Sequence, residues 1–353
     1  MSYYLTLILI PAFIVVLCAK WLFPHKITMK EWGLQFLGLV VSTGLCAGII
    51  GVVSFSNTYD TEILNGYVTS KQSVHVSCDH MYQCGQSCST DGKGNTSCVP
   101  IYCPEHAYDV DWDVHTTVGT FTIDRVDRQG LHEPKRFTDV NIGEFAATSS
   151  YTKNYLLIDK GRFDTDEAIV KKYEGKVPKY PDTFDYYRFN RVVNTTDRSF
   201  NYLNVFLNNS LREMGARKQL NIIVVVTEYS DDFYNALYKE WNGGKKNDVI
   251  LVYGIDSSNN IKWFRSTSFA DGQDNRELLA RLRLETHDQQ LSLNLVQKQL
   301  SIIDKNFTRL PNETFSYIDS FQDTSIGLIL FCMFFNILTS IGIAYYMYKE
   351  DVA

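Results

Sequence analysis

Five cysteines crowd one short stretch of this chain: Cys78, Cys84, Cys88, Cys98 and Cys103. The sequence between them, GQSCSTDGKGNTSC, is polar and Gly-rich and cannot build a core of its own. Two chemistries suit such a cluster. Disulfides staple small polar segments in oxidising compartments. Alternatively, Cys84-x3-Cys88 and Cys98-x4-Cys103 could hold tetrahedral zinc, and His75, His80 and His106 flank the stretch. Disulfides are the expectation. Five is an odd number, so two bridges leave one thiol over. The segment reads as a hairpin or finger, and projecting loops of this kind often bind partners.

Acidic residues give a second set of candidates. Residues 107–124 alternate as a strand does, with Val110, Trp112 and Val114 on one face. Asp109, Asp111, Asp113 and His115 share the other face, which reads as a solvated face or a site for a divalent cation such as calcium or zinc. Further along, Asp231, Asp232, Asp256 and Asp271 lie near strand ends, where sites form in α/β sheets. A helix cap and solvated turns would explain them equally well. No GxSxG, HExxH, P-loop, EF-hand loop or GxGxxG is present, and no nucleophile–base set can be assembled from spacing. A net charge of −6, spread along the chain, gives no footprint for nucleic acid.

The elements that carry these residues divide sharply. Residues 3–23 and 33–53 are apolar runs joined by a loop at 24–32, and a third run spans 325–348. A bilayer core needs about 20 apolar residues in a helix. The chain is therefore expected to have three transmembrane helices, the first two a hairpin over 1–53, with the lipid bilayer as a partner. Lys20, Lys26 and Lys30 in the first loop place that loop in the cytoplasm. The N-terminus and residues 54–324 are then extracytoplasmic, and the tail at 349–353 is cytoplasmic. Gly44 and Gly48 form a small-xxx-small step, and Asn336 is the one strongly polar residue of the third run; both suit helix packing, within the chain or between copies.

Outside the membrane, the expectation is a Cys-rich finger at 54–106, a β-rich region at 107–190 and an α/β domain at 191–318. The whole is an α+β membrane protein. Short strand-like runs include 119–126 and 154–158. The α/β part reads as a helix over 197–216, a buried strand at 220–227, a helix over 231–242, strands at 248–255 and 261–267, and helices at 274–286 and 289–306. Asn-x-Ser/Thr sequons at Asn95, Asn194, Asn208, Asn306 and Asn312 decide little.

Residues 197–306 resemble the TPM domain, a βαββα unit. The matching positions are Val224–Val226, Trp241, Gly244, Asn247, Ile250 and Leu251, over about 100 of 353 residues. That family includes thylakoid-lumen repair proteins, a receptor-modulating membrane protein and bacterial envelope proteins. The resemblance implies an outer domain tied to a membrane helix. The chain departs from the family pattern at Asp248, where a Gly is usual. It departs again at Ser266–Phe269, where a Gly-aromatic-Gly turn frames the family's acidic site. Tyr108–Thr116, Thr122–Arg125 and Asn154–Leu156 also resemble membrane proteins of large tailed bacteriophages, which implies a bacterial inner membrane and a periplasmic outer domain. The expected function is a non-enzymatic envelope protein without a cofactor, acting on a membrane or envelope protein partner or as a homo-oligomer. The alternative is an extracytoplasmic metal-dependent phosphatase or hydrolase.

Overall fold

The computed structural model describes residues 2–90, 92–94, 96–321 and 325–350. The sequon at Asn95 and the last three residues of the tail lie outside them. Two long helices come first, α1 (Ser2–Leu22) and α2 (Met29–Thr58). Strand β1 (Tyr59–Val76) follows without a linker, then β2 (Met81–Thr90), β3 (Thr96–Pro104), β4 (Asp109–Thr116) and β5 (Gly119–Ile123). Next come α3 (Lys135–Thr138), β6 (Phe145–Lys153), α4 (Glu167–Lys172), β7 (Thr183–Phe184), β8 (Arg188–Phe189) and β9 (Val192–Asn194). The rest is α5 (Asn201–Lys218), β10 (Asn221–Thr227), α6 (Phe233–Glu240), β11 (Asp248–Ile255) and β12 (Ile261–Ser268). Helices α7 (Phe269–Gly272), α8 (Arg276–Thr286), α9 (Leu293–Asn306) and α10 (Ile326–Glu350) complete it.

The chain forms two compact units, Met1–Tyr59 with Lys153–Lys160 and Asn312–Ala353, and Asp60–Thr152 with Gly161–Pro311. In the first, α1, α2 and α10 are long and apolar enough to cross a membrane. Their seam is built from Ile8, Cys46, Ile50 and Cys332, and from Ala12, Val16 and Leu39. A capping box starts α2: the Glu31 amide donates to Thr28 Oγ1, and the Thr28 amide donates to the Glu31 carboxylate. At 30 residues, α2 is about 45 Å long, so its polar ends outrun a hydrocarbon core of about 30 Å. Asn336 is buried and donates to Thr43 Oγ1 on α2 at 3.2 Å. A Cβ added at Gly44 or Gly48 would meet nothing within 4 Å, so among the described residues no other helix packs against this step. Residues 155–158, expected as a strand, form a 3₁₀ turn. The Asn154 side chain accepts from the Leu156 amide and so starts a turn instead of a ladder.

The second unit holds two four-stranded sheets. The first has the order β5-β4-β1-β6, with β1 and β4 antiparallel from Val68↔Thr116 to Val76↔Asp109. Val68, Val114, Ile123, Phe137 and Tyr187 form its core. The second has the order β12-β11-β10-β9. Strands β10 and β11 are parallel across α6, and β12 returns antiparallel to β11. A parallel sheet covered on both faces needs strands that are apolar throughout, which is why NIIVVVT and DVILVYGI show no alternation. Along β10, Ile222, Val224 and Val226 meet Leu203, Leu207, Leu282, Val296 and Ile303 from α5, α8 and α9. Ile223 and Val225 meet Phe233, Leu237 and Trp241 on the other side. Gly254 faces Trp263, whose indole occupies the space a Cβ would need.

Asp248, the departure from the family pattern, is buried at the start of β11. It accepts from Tyr180 Oη at 2.9 Å, Asn221 Nδ2 at 2.7 Å and the Lys245 amide at 2.7 Å. Burial outweighs these bonds and raises its pKa from 3.8 to about 6. The folded state therefore binds this proton more tightly than the unfolded one. The stabilisation is complete below about pH 4 and is lost as pH rises through about 6. The shift corresponds to about 3 kcal/mol. Asp248→Asn is expected to remove that loss. The melting temperature of the variant relative to the native chain, both in detergent, should rise between about pH 4 and about pH 7. A difference that does not change with pH would show that Asp248 does not carry this titration.

Candidate metal centre

The ladder β1–β4 ends at Val76↔Asp109, and the ladder β2–β3 begins at Met81↔Pro104. The two are one long hairpin with an interruption. Four residues on each limb, 77–80 and 105–108, lie between the ladders, with the Glu105 amide donating to the His80 carbonyl at 2.9 Å. Beyond the interruption, β2 and β3 are cross-linked by disulfides Cys88–Cys98 and Cys84–Cys103. Cys78 is the thiol left over.

Cys78, His80, His106 and Asp109 converge at the interruption, with one donor atom from each lying within 4.8 Å of the others. Cys78 Sγ is 3.7 Å from His106 Nδ1. His80 Nδ1 is 3.5 Å and His106 Nδ1 is 3.4 Å from the Asp109 carboxylate. Donors around a tetrahedral zinc ion are about 3.3–3.8 Å apart, given Zn–N of about 2.0 Å and Zn–S of about 2.3 Å. The match is close. Asp109 is 0% exposed, and Cys78, His80 and His106 are half-buried.

Asp109 is held by one oxygen. Its Oδ2 accepts from the Asp79 amide at 3.0 Å and Arg125 Nη1 at 2.8 Å. Among the described residues its Oδ1 makes no well-formed hydrogen bond, with His106 Nδ1 at 3.4 Å, and neither does His80 Nδ1. A buried polar atom left unpaired costs about 1–3 kcal/mol, and both atoms belong to the converging group. Burial pushes the Asp109 carboxyl up; the Asp79 amide, Cys78 and Arg125 outweigh it and hold the group below the usual range. An ionised carboxylate, a thiol and two imidazoles form a set suited to zinc and not to calcium, which takes oxygen ligands. Arg125 also donates to Asp111 and lies 3.5 Å from Asp79, so it braces the acidic side of the site.

The other expected residues stay apart. Asp111 is tied to Arg125, Asp113 accepts from Thr122 Oγ1 at 2.7 Å, and His115 bonds Thr120 Oγ1 at 2.9 Å. Asp231 pairs with Arg265. Asp232 takes bonds from Lys172, Tyr173 and Ser230. Asp256 closes its own turn through Ser258 and Asn260, and Asp271 pairs with Arg162 and Tyr238. Among the described residues, only the group at the hairpin interruption gathers three or more such donors. Of the strand face read from the sequence, Asp109 alone enters it. The signal for the rest was a Cys-x-His at the start of the finger and a His-x2-Asp after it, obscured because the zinc alternative was read on Cys84, Cys88, Cys98 and Cys103 and the leftover thiol was given no partner.

This cluster corrects the expectation of a chain without enzymatic chemistry, because a compact Cys/His/His/Asp set has the geometry of a metal-binding active site. It also supplies a place for a divalent cation. In comparisons with family models, curated proteins and solved structures, nothing matches this chain.

The full chain, purified in detergent without chelator, is expected to carry about one zinc per chain by elemental mass spectrometry. Cys78→Ser and His106→Ala should lose the metal, and Arg125→Gln should weaken binding by about 10–100-fold through loss of the brace on Asp109. Equal metal content in all four proteins would place the ion elsewhere.

Proposed function

We propose that this chain is a membrane-anchored, zinc-dependent hydrolase whose active site lies at the base of the cystine-bridged hairpin. One observation carries the reading: four donors converge, and among the described residues two of their buried atoms, Asp109 Oδ1 and His80 Nδ1, face other members of the cluster without a well-formed hydrogen bond. A zinc ion there would supply the Lewis acidity that activates water near neutral pH. Cys78, His80 and His106 are the ligands the geometry favours. Their partial exposure leaves the centre open to solvent. Asp109, drawn back toward Arg125 and the Asp79 amide, is the ligand most able to yield its position or to orient water beside it.

Lys20, Lys26 and Lys30, clustered around the turn between α1 and α2, and the two disulfides support an extracytoplasmic setting for residues 54–324. The TPM-like and phage-like residues quoted above support a bacterial envelope as that setting. Turnover of p-nitrophenyl phosphate, bis(p-nitrophenyl) phosphate or p-nitrophenyl acetate by the zinc-loaded full chain is the test. Activity should vanish with chelator, return with zinc and fall by at least about 100-fold in His106→Ala. A zinc-loaded chain that hydrolyses none of the three would end the hydrolase reading and leave the metal site standing.

A second reading rests on the hairpin. Met81, Tyr82, Val99, Ile101 and Tyr102 are large, apolar and exposed there, which favours contact with a membrane or envelope protein or another copy of the chain. Cross-linking in native membranes should give a defined adduct that Val99→Ser/Ile101→Ser abolishes; the same adduct in the variant would rule the hairpin out as the contact.

A further inference from the structure

A separate groove runs beside the N-terminal half of α5. Two cavities, of about 390 and about 240 Å³, share Asn190 and Asn204 as common walls. Together they fall in the range of ligand sites, roughly 300–1,000 Å³. The walls are unusually rich in side-chain amides: Asn190, Asn194, Asn201, Asn204 and Asn208. From these residues we infer that the groove binds a neutral glycan chain.

The reasoning is one of donors, acceptors and charge. A sugar hydroxyl both donates and accepts, and a carboxamide offers both functions side by side. Several of these amides are already oriented. Asn204 Oδ1 accepts from the Arg191 amide at 2.7 Å, and Asn208 Oδ1 accepts from Arg191 Nε at 2.8 Å. Asn204 Nδ2 donates to Asn190 Oδ1 at 3.3 Å. Among the described residues, that leaves the Asn190 amide nitrogen, the second N–H of Asn204 and the whole Asn201 amide for a ligand. Asp197 adds a carboxylate with no partner among the described residues. Fixed polar groups lower the ordering cost of binding.

Charge argues against a phosphate or a polyanion. The two cations of the groove are spoken for: Arg188 pairs with Asp185 at 3.0 Å and Arg198 with Glu228 at 2.7 Å. An apolar ligand would leave the amides unsatisfied. The most exposed aromatic ring lining the groove is that of Phe184, 45% exposed in the second cavity, which Phe145 and Phe189 also line. Asp185 and Tyr186 (φ 45° and 72°) make the tight turn between β7 and β8 that presents it. An exposed ring flanked by hydrogen-bonding amides suits the apolar face and the hydroxyl edge of a pyranose.

The test is calorimetric titration of the full chain, in a detergent without a sugar head group, with chitotetraose and with cellotetraose. Saturable binding of at least one is expected. Asn190→Ala, Asn201→Ala and Phe184→Ala should each weaken it by about tenfold, the equivalent of one lost contact. These side chains are exposed, so unchanged melting temperatures would show that the fold is intact. His106→Ala should bind as the native chain does, which separates the groove from the metal centre. Absence of saturable binding to both sugars, or equal affinity in the three groove variants, overturns the inference.

Discussion

Arg191 is the constraint on which the outer unit depends. Its side chain is 0% exposed, and every donor on a buried guanidinium must be met. Asn208 from α5 accepts from its Nε, Asn221 and the Ile222 carbonyl from β10 accept from Nη1, and Asn65 from β1 accepts from Nη2. The rings of Phe145 and Phe189 lie 4.8 and 5.0 Å from the guanidinium carbon. Burial lowers its pKa to about 9, opposed by Tyr180 and Asp248, so the group stays charged at neutral pH. Removing one partner of a buried charge typically costs about 3–5 kcal/mol. One side chain thus joins the first sheet to the second. It fixes β1, whose far end leads into the metal centre, and the α5 amides that wall the groove.

Much of this fold is legible in the residues. The three apolar runs are long and uniform, and nothing in a soluble core competes with that pattern. The runs at 221–227 and 248–255 read as strands covered on both sides, and helices do cover both sides. The long strand β1 was hidden. Its burial pattern is irregular, it holds Gly66 and polar Asn65, and it begins directly where α2 ends. Asn65 reads as a turn residue until Arg191, 126 positions away, is known to need it.

The metal centre was half visible. Cysteines with flanking histidines suggested zinc, but the spacing pointed to Cys84, Cys88, Cys98 and Cys103, which pair with each other instead. The true set is bridged by the hairpin itself. Only when residues 81–104 fold back on themselves do Cys78 and His80 meet His106 and Asp109. A strand alternation that puts Asp109, Asp111 and Asp113 on one face cannot tell which carboxylate has a neighbour at the strand's end. The groove had no signature at all, since scattered asparagines acquire meaning only when a helix and two short strands bring them together.

The leftover cysteine has a consequence for how the molecule matures. The two bridges join residues 10 and 19 positions apart, and loops this short close at modest entropic cost. Cys78 precedes Cys84 by only six positions, so it competes for the same partners while the chain is being oxidised. A thiolate beside a fresh disulfide can also attack it and reshuffle the pairing. Capture of Cys78 by a cation withdraws that nucleophile from the exchange pool. A cation held by this cluster would then make metal supply an editor of connectivity: a chain oxidised without it would be open to scrambled pairings, whereas one that loads first would keep a single pattern of bridges.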